Sequence, residues 1–236
     1  MIDMKKTLLL AAFALAGTFA FAQKPASGDK TVETSILLQT GTAPISFATP
    51  NLRLRYFIAD DLAARVNFLY ESSKVVGNFT ENTDGTGGKG SATAKYSNFT
   101  FSPGIEKHFE GTSKLSPYVG GVLALSFMGA SEEWENSANG TSYTKDVKAT
   151  IDGANTDGDK AGSAIGVGLV LGADYYVTDA LYLGAEILWG WETASLKEST
   201  TTVTAAGGAS TKTVAQGASA SGFGIMTSGV RLGWKF

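Results

Sequence analysis

The amino-acid sequence predicts an all-β protein, an eight-stranded antiparallel up-and-down transmembrane β-barrel. Three features of the 236-residue chain lead to this prediction. The chain begins with an export signal. Its strand-like segments alternate between apolar and polar residues, so that each has two different faces. The connections between those segments are short at one end of the predicted barrel and long at the other, which is typical of barrels in bacterial outer membranes.

The export signal occupies residues 1–22. Lys5 and Lys6 supply its positive charge, residues 7–17 supply its apolar stretch, and residues 20–22 (AFA) give the small-x-small pattern of a cleavage site. The apolar stretch is shorter than the roughly 20 residues that a membrane-spanning helix needs. We therefore expect an exported chain, with residues 23–31 as a short periplasmic segment and residues 32–236 as the barrel.

Composition excludes several functional classes. The chain has no cysteine, which excludes disulfides, thiolate metal sites and a lipid anchor on cysteine. Its formal net charge of −3 gives no reason to expect nucleic acid as a partner. Glycine is abundant and proline is scarce, with 29 and 5 residues, and this balance favours twisted β-structure with polar connections. No cofactor is expected.

Eight strands are predicted from the alternating segments. They span residues 32–41, 49–58, 62–71, 96–108, 116–127, 163–177, 181–192 and 222–236. Short turns join the second strand to the third, the fourth to the fifth and the sixth to the seventh. The other connections cover residues 42–48, 72–95, 128–161 and 193–221, and the last three are expected to be polar loops outside the cell. Pro103 falls inside the fourth strand, where a β-bulge is expected because proline cannot donate to the ladder.

Alternation alone leaves two barrels open. A soluble barrel would turn its apolar face inward, whereas a membrane barrel turns that face outward. Aromatic residues near the strand ends favour the membrane, because aromatic girdles mark the two interfaces of a bilayer. These residues are Tyr56, Tyr70, Phe99, Phe127, Tyr175, Trp189, Trp191, Trp234 and Phe236.

Four segments carry a resemblance to a known family. They are residues 99–105 (FTFSPGI), the turns at residues 57–62 (FIADDL) and 176–181 (YVTDAL), and the terminal strand at residues 230–236 (VRLGWKF). With the export signal, they resemble the small eight-stranded outer-membrane β-barrels of the OmpA/OmpX type, and most of all the barrel proteins of Bacteroidota. The resemblance implies location in the bacterial outer membrane, contact with its lipid, and folding by the barrel assembly machinery. It also implies that Trp234 and Phe236 form the assembly signal.

The polar faces place ten charged residues inside the predicted barrel. They are Arg53, Arg55, Arg65, Arg231 and Lys235 with Glu71, Glu106, Asp174, Glu186 and Glu192. Buried charges must be paired or hydrated, and an eight-stranded barrel has room for little beyond side chains. We expect a charge network that fills the lumen, with Arg231 and Glu186 as partners on neighbouring strands. The alternative is a gated polar pathway.

Two other features are candidates for chemistry. His108 is the only histidine, and its sequence neighbours Phe109 and Glu110 offer no serine nucleophile, so we interpret it as a plain turn residue. Asp152, Asn155, Asp157 and Asp159 are a weak candidate for a Ca²⁺ site, because their spacing departs from the EF-hand pattern. A solvated acidic loop is the simpler interpretation, and no metal site is expected.

The function expected from the sequence is non-enzymatic. The chain is interpreted as a structural or surface-interaction protein that acts through its loops or as a subunit of a larger outer-membrane complex, with a protein partner there. Since one fold hosts many functions, two alternatives stay open. The first is a narrow channel for small solutes, and the second is a lipid-modifying outer-membrane enzyme.

Overall fold

Strands make up almost all of the described chain. The computed structural model describes the backbone of residues 24–37 and 46–236 and the side chains of residues 24–35 and 51–236. Its strands are β1 (Lys30–Leu37), β2 (Ser46–Ala59), β3 (Leu62–Thr80), β4 (Lys89–His108), β5 (Leu115–Glu135), β6 (Lys148–Asp152), β7 (Gly162–Tyr176), β8 (Leu181–Leu196), β9 (Ser199–Thr204), β10 (Ser210–Ala215) and β11 (Ala218–Lys235). The predicted signal peptide and residues 38–41 of the first predicted strand lie outside the described residues.

Eight of these strands close into an antiparallel barrel. Each pairs with its neighbours in the order β1, β2, β3, β4, β5, β7, β8 and β11, and β11 pairs back to β1. The closing ladder runs from Thr31 opposite Lys235 to Ile36 opposite Val230. The predicted fold class is confirmed. Across the residues that the structure describes, no helix is long and apolar enough to cross a membrane.

The apolar side chains of the barrel strands point outward. In β8, Ile187 and Trp189 are 47% and 46% exposed, whereas Glu186 and Leu188 on the other face are 7% and 9% exposed. All the aromatic residues predicted for the girdles are exposed on this outer surface. An apolar belt around a closed barrel is the surface that faces lipid, since soluble proteins rarely expose such large apolar patches. The alternative of a soluble barrel with an apolar interior is wrong.

The regions predicted as long loops contain much more β-structure than expected. β3 and β4 continue as a paired hairpin out to Thr80 opposite Lys89, and β5 continues to Glu135. The strands β6, β9 and β10 also lie in these regions. Their residues are mostly Ser, Thr, Lys and Ala on both faces, so they carry no apolar alternation that would reveal a strand. The prediction of loops at residues 72–95, 128–161 and 193–221 is therefore wrong where β6, β9, β10 and the strand extensions lie.

These extra strands form a small sheet beyond the barrel, here called the distal sheet. It consists of Ser131–Glu135 of β5, followed by β6, β9 and β10 in that order. One of its faces is covered, because Trp134 and Glu132 are buried there. The Glu132 carboxylate accepts hydrogen bonds of 2.7 Å from the Trp134 indole and from the backbone N–H and hydroxyl of Thr156. The connection between β6 and β7 is thereby attached to the sheet.

Pro103 produces a gap in one ladder rather than a bulge. Between β4 and β5, Phe101 pairs with Leu125 and Gly104 pairs with Val122, so the register is kept while residues 102 and 103 have no partner. Between β3 and β4 the register is continuous through Pro103. The prediction of a bulge at Pro103 is wrong, because the N–H that proline lacks interrupts only the pairing of β4 with β5. Register shifts occur instead between β1 and β2, β2 and β3, and β8 and β11.

Asp61 ties together the short turn between β2 and β3. Its carboxylate accepts a hydrogen bond from the Lys107 ammonium, and its carbonyl accepts one from the His108 N–H at 2.7 Å. The side-chain hydrogen bond from Lys107 lowers the pKa of Asp61 below its ordinary value. This contact therefore stabilises the turn above the unfolded-state pKa and is lost as the pH falls through the folded-state pKa. Both side chains are exposed, so the contribution is small.

The positions of two turns predict their accessibility in cells. An epitope tag inserted at residues 206–207, between β9 and β10, is expected to bind antibody on intact cells. The same tag at residues 178–180, between β7 and β8, is expected to bind only after the outer membrane is permeabilised, because the two turns lie at opposite ends of the barrel. Each tagged protein is first tested for the gel shift between unheated and heated samples that reports a folded barrel. If only the tag at residues 178–180 bound antibody on intact cells, the barrel would have the opposite orientation in the membrane.

Candidate functional site

The barrel lumen is crossed by one level of buried charged side chains, here called the ion-pair layer. The polar face of each strand points inward, so residues from β1, β2, β3, β4, β7, β8 and β11 reach this level, and all are nearly or fully buried. The layer contains four cationic and four anionic residues. They are Arg53, Arg55, Arg65 and Arg231 with Glu33, Glu106, Asp174 and Glu186.

Glu186 is the centre of one half of the layer. Arg53 donates to its two carboxylate oxygens at 2.8 and 2.9 Å, and Arg65 donates to the same two oxygens at 2.9 and 3.1 Å. The Tyr118 hydroxyl of β5 adds a third donor at 2.7 Å. Two forked guanidinium contacts on one carboxylate are among the strongest hydrogen-bond geometries in proteins.

Arg55 is the centre of the other half. It lies 2.6 Å from Glu33, 2.8 Å from Asp174 and 3.0 Å from Glu106. Arg231 also contacts Glu33 and lies 3.0 Å from Asp174. Arg65 contacts Glu106 at 2.6 Å and so joins the two halves. Every charge of the layer therefore has an opposite charge within contact distance, as burial in a narrow lumen requires.

The structure places seven of the ten predicted lumen charges in this layer. Glu71 and Glu192 instead line a cavity further along the lumen, toward the long-connection end. Lys235 lies toward the short-turn end, 3.4 Å from Asp29. Arg231 and Glu186, expected as partners, belong to the same network and form the longest ion pair of the layer. Their charged atoms are 3.9 Å apart, and Tyr118 contacts both.

Sequence reasoning missed Glu33 and Tyr118. Glu33 and Ser35 alternate with Val32 and Ile36 in β1, so the pattern does place Glu33 on the polar face, although Thr34 on the apolar face weakens this signal. The partnership is visible only in the ladder, where Glu33 lies opposite both Arg53 and Gly233. Tyr118 alternates with apolar residues of β5, and the sequence does not distinguish its hydroxyl from that of a girdle tyrosine.

Aromatic rings fill the lumen on the short-turn side of the layer. The rings of Tyr176 and Tyr182 have centroids 5.1 Å apart, and His108 lies 5.1 Å from Phe57 and 5.0 Å from Tyr118. All five side chains are buried. The Arg55 guanidinium lies 5.3 Å from the Tyr182 ring centroid, within the range of a cation–π contact. We call these five residues the aromatic plug.

His108 is not a plain turn residue, and a serine does lie close to it. Its Nδ1 is 2.9 Å from the Ser116 hydroxyl, and its Nε2 is 3.4 Å from the Glu106 carboxylate. The three residue types match those of a serine hydrolase, but all three side chains are buried and Glu106 also contacts Arg55 and Arg65. The arrangement packs the lumen beneath the ion-pair layer.

Inward-facing glycines make room for the large lumen side chains. A methyl group at Gly172 would lie 2.3 Å from the Tyr118 ring and 2.9 Å from the Ala185 carbonyl oxygen. A methyl group at Gly233 would lie 2.0 Å from the Tyr182 ring. By contrast, the position at Gly222 has nothing within 4 Å. Several glycines of the polar faces are thus required by the plug and the layer.

The candidate Ca²⁺ residues form a hydrogen-bonded turn. The Asn155 amide donates to the Asp159 carboxylate at 2.9 Å, and the Asn155 side-chain oxygen accepts the Asp159 N–H at 3.0 Å. Asp152 belongs to β6, and Asp157 is exposed. Across residues 24–37 and 46–236, no group of three or more His, Asp or Glu side chains is arranged to hold a metal ion.

The two residues predicted as the assembly signal lie on the outer surface at the short-turn end. Trp234 and Phe236 are 51% and 66% exposed, and the Phe236 N–H donates to the Lys30 carbonyl at 2.9 Å. They extend the apolar belt beside the seam between β1 and β11. Their role in assembly stays a prediction.

A closed antiparallel barrel with an apolar outer belt and a charged lumen is an outer-membrane β-barrel. The family model described as "Putative OmpA-OmpF-like porin family" matches residues 49–227. The chain belongs to this family, and its place is accordingly the outer membrane.

Two solved structures are similar to the chain. The outer-membrane protein OprG from Pseudomonas aeruginosa is 11% identical, with 92% of this chain and 99% of that chain covered and a TM-score of 0.38. A TodX deltaS2S3 mutant, a monoaromatic hydrocarbon channel, is 14% identical, with 80% of this chain and 53% of that chain covered and a TM-score of 0.37. No curated protein sequence matches the chain.

The geometry predicts strong coupling between Arg53 and Glu186. Arg53→Ala and Glu186→Ala are each expected to lower the free energy of unfolding by up to roughly 3–5 kcal/mol, because each removes one member of a buried set of paired charges and leaves the others less fully compensated. The double variant is expected to cost less than the sum by about 0.5–3 kcal/mol. Urea unfolding in detergent micelles measures these values. The exposed pair Lys95 and Glu133, 3.1 Å apart, is the control and is expected to couple by at most about 1 kcal/mol. Additive effects for Arg53 and Glu186 would contradict the paired layer.

The packing predicts unequal effects for two glycine substitutions. Gly172→Ala is expected to destabilise the barrel by about 1–3 kcal/mol, since the added methyl group overpacks the space held by the Tyr118 ring. Gly222→Ala, the matched control, is expected to change stability by less than about 0.5 kcal/mol. Thermal unfolding of both purified variants measures the difference. Equal effects would show that the lumen around Tyr118 is not closely packed.

Proposed function

We propose that this protein is a non-enzymatic outer-membrane barrel with a closed lumen. It acts as a structural or surface-interaction protein through the distal sheet, alone or as a subunit of a larger outer-membrane complex. The ion-pair layer carries the proposal, because seven barrel strands contribute its charges and the eighth, β5, contributes Tyr118. A solute crossing the barrel would have to separate ion pairs that the narrow lumen cannot replace by full hydration.

The aromatic plug supports the same conclusion from the other side. Tyr176, Tyr182 and Phe57 have no measurable solvent exposure, so the lumen is filled both at the layer and below it. A change of side-chain rotamers at one level alone would therefore leave the barrel closed. Eight strands also leave little bore beyond the space that side chains fill.

The distal sheet is the part of the chain suited to contact a partner. Among the described residues, β10 pairs only with β9 and is exposed along its whole length. An unpaired strand edge can add a further strand from a partner, and main-chain hydrogen bonds then supply affinity. Lys212 at the centre of β10 places a positive charge on this edge, a feature that discourages uncontrolled self-association.

The buried serine, histidine and glutamate do not favour enzymatic activity. Ser116 is 2% exposed, so a substrate would have to displace the surrounding lumen side chains to reach its hydroxyl. A narrow solute channel remains the second candidate. The porin description of the family favours it, as does a cavity on the long-connection side of the layer.

Planar-bilayer recording separates the two candidates. The wild-type protein is expected to show no steady conductance. A variant that combines Glu33→Ala and Arg55→Ala, which remove one opposite charge pair from the layer, with Tyr182→Ala, which removes one ring of the plug, is expected to show openings. A variant with Lys95→Ala and Glu133→Ala removes an exposed pair and is expected to behave as wild type. A stable, reproducible open state of the wild type would reject the closed barrel and favour the channel.

A further inference from the structure

The lumen contains a cavity that neither the ion-pair layer nor the aromatic plug fills. Its volume is about 390 Å³ among the described residues, within the size range of small-molecule sites. Arg53, Arg65 and Glu186 form its floor, so it ends at the layer. Glu71 and Glu192 lie toward its far end, six residues along β3 and β8 from Arg65 and Glu186. It is therefore a pocket on one side of a closed level.

The cavity has two chemically different walls. β5, β8 and β11 supply an apolar patch on one wall, where Val122 and Leu188 are buried and Met226 packs against them. On the opposite wall, β2, β3 and β4 supply neutral polar side chains above the floor, among them Asn51, Asn67 and Ser102. A molecule that matches the cavity therefore has an apolar side and a side that hydrogen bonds.

Buried polar atoms at the polar wall and floor have no protein partner. The side-chain oxygens of Asn51 and Asn67 are acceptors without a donor, and the Nε–H groups of Arg53 and Arg65 are donors without an acceptor. The Asn51 amide nitrogen donates to the Ser35 hydroxyl at 3.1 Å, and the side-chain oxygen of Asn51 is left for other partners. Both kinds of atom are satisfied by hydroxyl groups, because a hydroxyl donates and accepts. A buried polar atom without a partner costs free energy until a ligand or water supplies one.

The charges that line the cavity balance. Arg53, Arg65 and Arg231 give three positive charges, and Glu71, Glu186 and Glu192 give three negative charges. The lining therefore selects neither anions nor cations by its net charge. A neutral ligand matches it best, because such a ligand need not lose the hydration of a charge in order to enter.

We propose that the lumen cavity binds a small neutral polyhydroxy molecule, of the size and chemistry of a mono- or disaccharide. Its hydroxyl groups bond to Asn51, Asn67 and the floor arginines, and its C–H face packs on Val122, Leu188 and Met226. This role goes beyond the closed-barrel function, because a pocket that ends at the layer binds without conducting. It would make the protein a binding module for such molecules at the outer membrane.

Titration with defined sugars tests the proposal. The whole protein is purified in lauryldimethylamine oxide, a detergent without a sugar head group, and titrated by saturation-transfer NMR with D-glucose and maltose. L-leucine and L-glutamate are the zwitterionic and anionic comparison probes. We expect saturable binding of at least one sugar and none of either amino acid.

Three substitutions and one control variant locate the site. Asn51→Leu and Asn67→Leu are expected to weaken sugar binding at least tenfold. Asn98→Leu is the matched control, since Asn98 also has a buried oxygen without a partner but does not line the cavity, and it should leave binding unchanged. Ala124→Phe fills the cavity from the apolar wall and should abolish binding, so the proposal stays testable if an asparagine variant does not fold. The gel shift on heating verifies the fold of each variant.

Several results would overturn the proposal. One is wild-type protein that binds neither sugar saturably, which would leave water as the occupant of the cavity. Another is sugar binding that survives Ala124→Phe or falls equally with Asn98→Leu, because the site would then lie elsewhere. Tighter binding of L-glutamate or L-leucine than of either sugar would replace the polyhydroxy ligand by one that carries ionised groups. None of these results bears on whether the barrel conducts, so the closed-barrel function is tested separately.

Discussion

Pairing of buried charges is the constraint on which the interior of this protein depends. Eight charged groups at a level of the lumen that side chains fill are stable when each has an opposite charge and good hydrogen-bond geometry. The layer meets this requirement with four arginines and four carboxylates, and several residues serve more than one partner. Because the members come from strands around the whole circumference, the pairs also connect parts of the wall that share no ladder.

Other features of the barrel follow from this layer. Tyr118 supplies a hydroxyl to Glu186, and its ring needs the space left by Gly172. The aromatic plug lies against the layer on the short-turn side, where Arg55 faces the Tyr182 ring. On the opposite side the packing stops, and the lumen opens into a cavity with one polar and one apolar wall. The apolar outer surface does not depend on this arrangement, because contact with lipid determines its composition.

The part of the fold that faces lipid could be predicted from the sequence, because alternation with a period of two residues shows which side chains share a face of a strand. Thus the outward Trp189 and the inward Glu186 are predictable, and so are seven charges of the layer. Glu33 is only weakly predictable, since Thr34 interrupts the apolar face formed by Val32 and Ile36, and its arginine partners appear only once β1 and β2 are in register. The distal sheet is not predictable, because its strands do not alternate between apolar and polar residues. Both faces of β9 and β10 are polar, and these strands are held by backbone pairing with each other and with β6. The contact of His108 with Ser116 joins two strands across a turn, which composition cannot reveal.

Hydrogen–deuterium exchange on the wild type and a Glu33→Gln variant tests most directly whether the layer joins the barrel as one unit. Glu33 contacts Arg55 and Arg231, and through them it reaches Glu106 and Asp174 on strands that do not neighbour β1. If the layer joins the barrel, amide exchange in the variant is expected to be faster around residues 104–107 and 172–175 as well as in β1, β2 and β11, while exchange in the distal sheet stays unchanged. Faster exchange confined to β1 and its two ladder neighbours would contradict the account, because the charges would then act as separate local pairs.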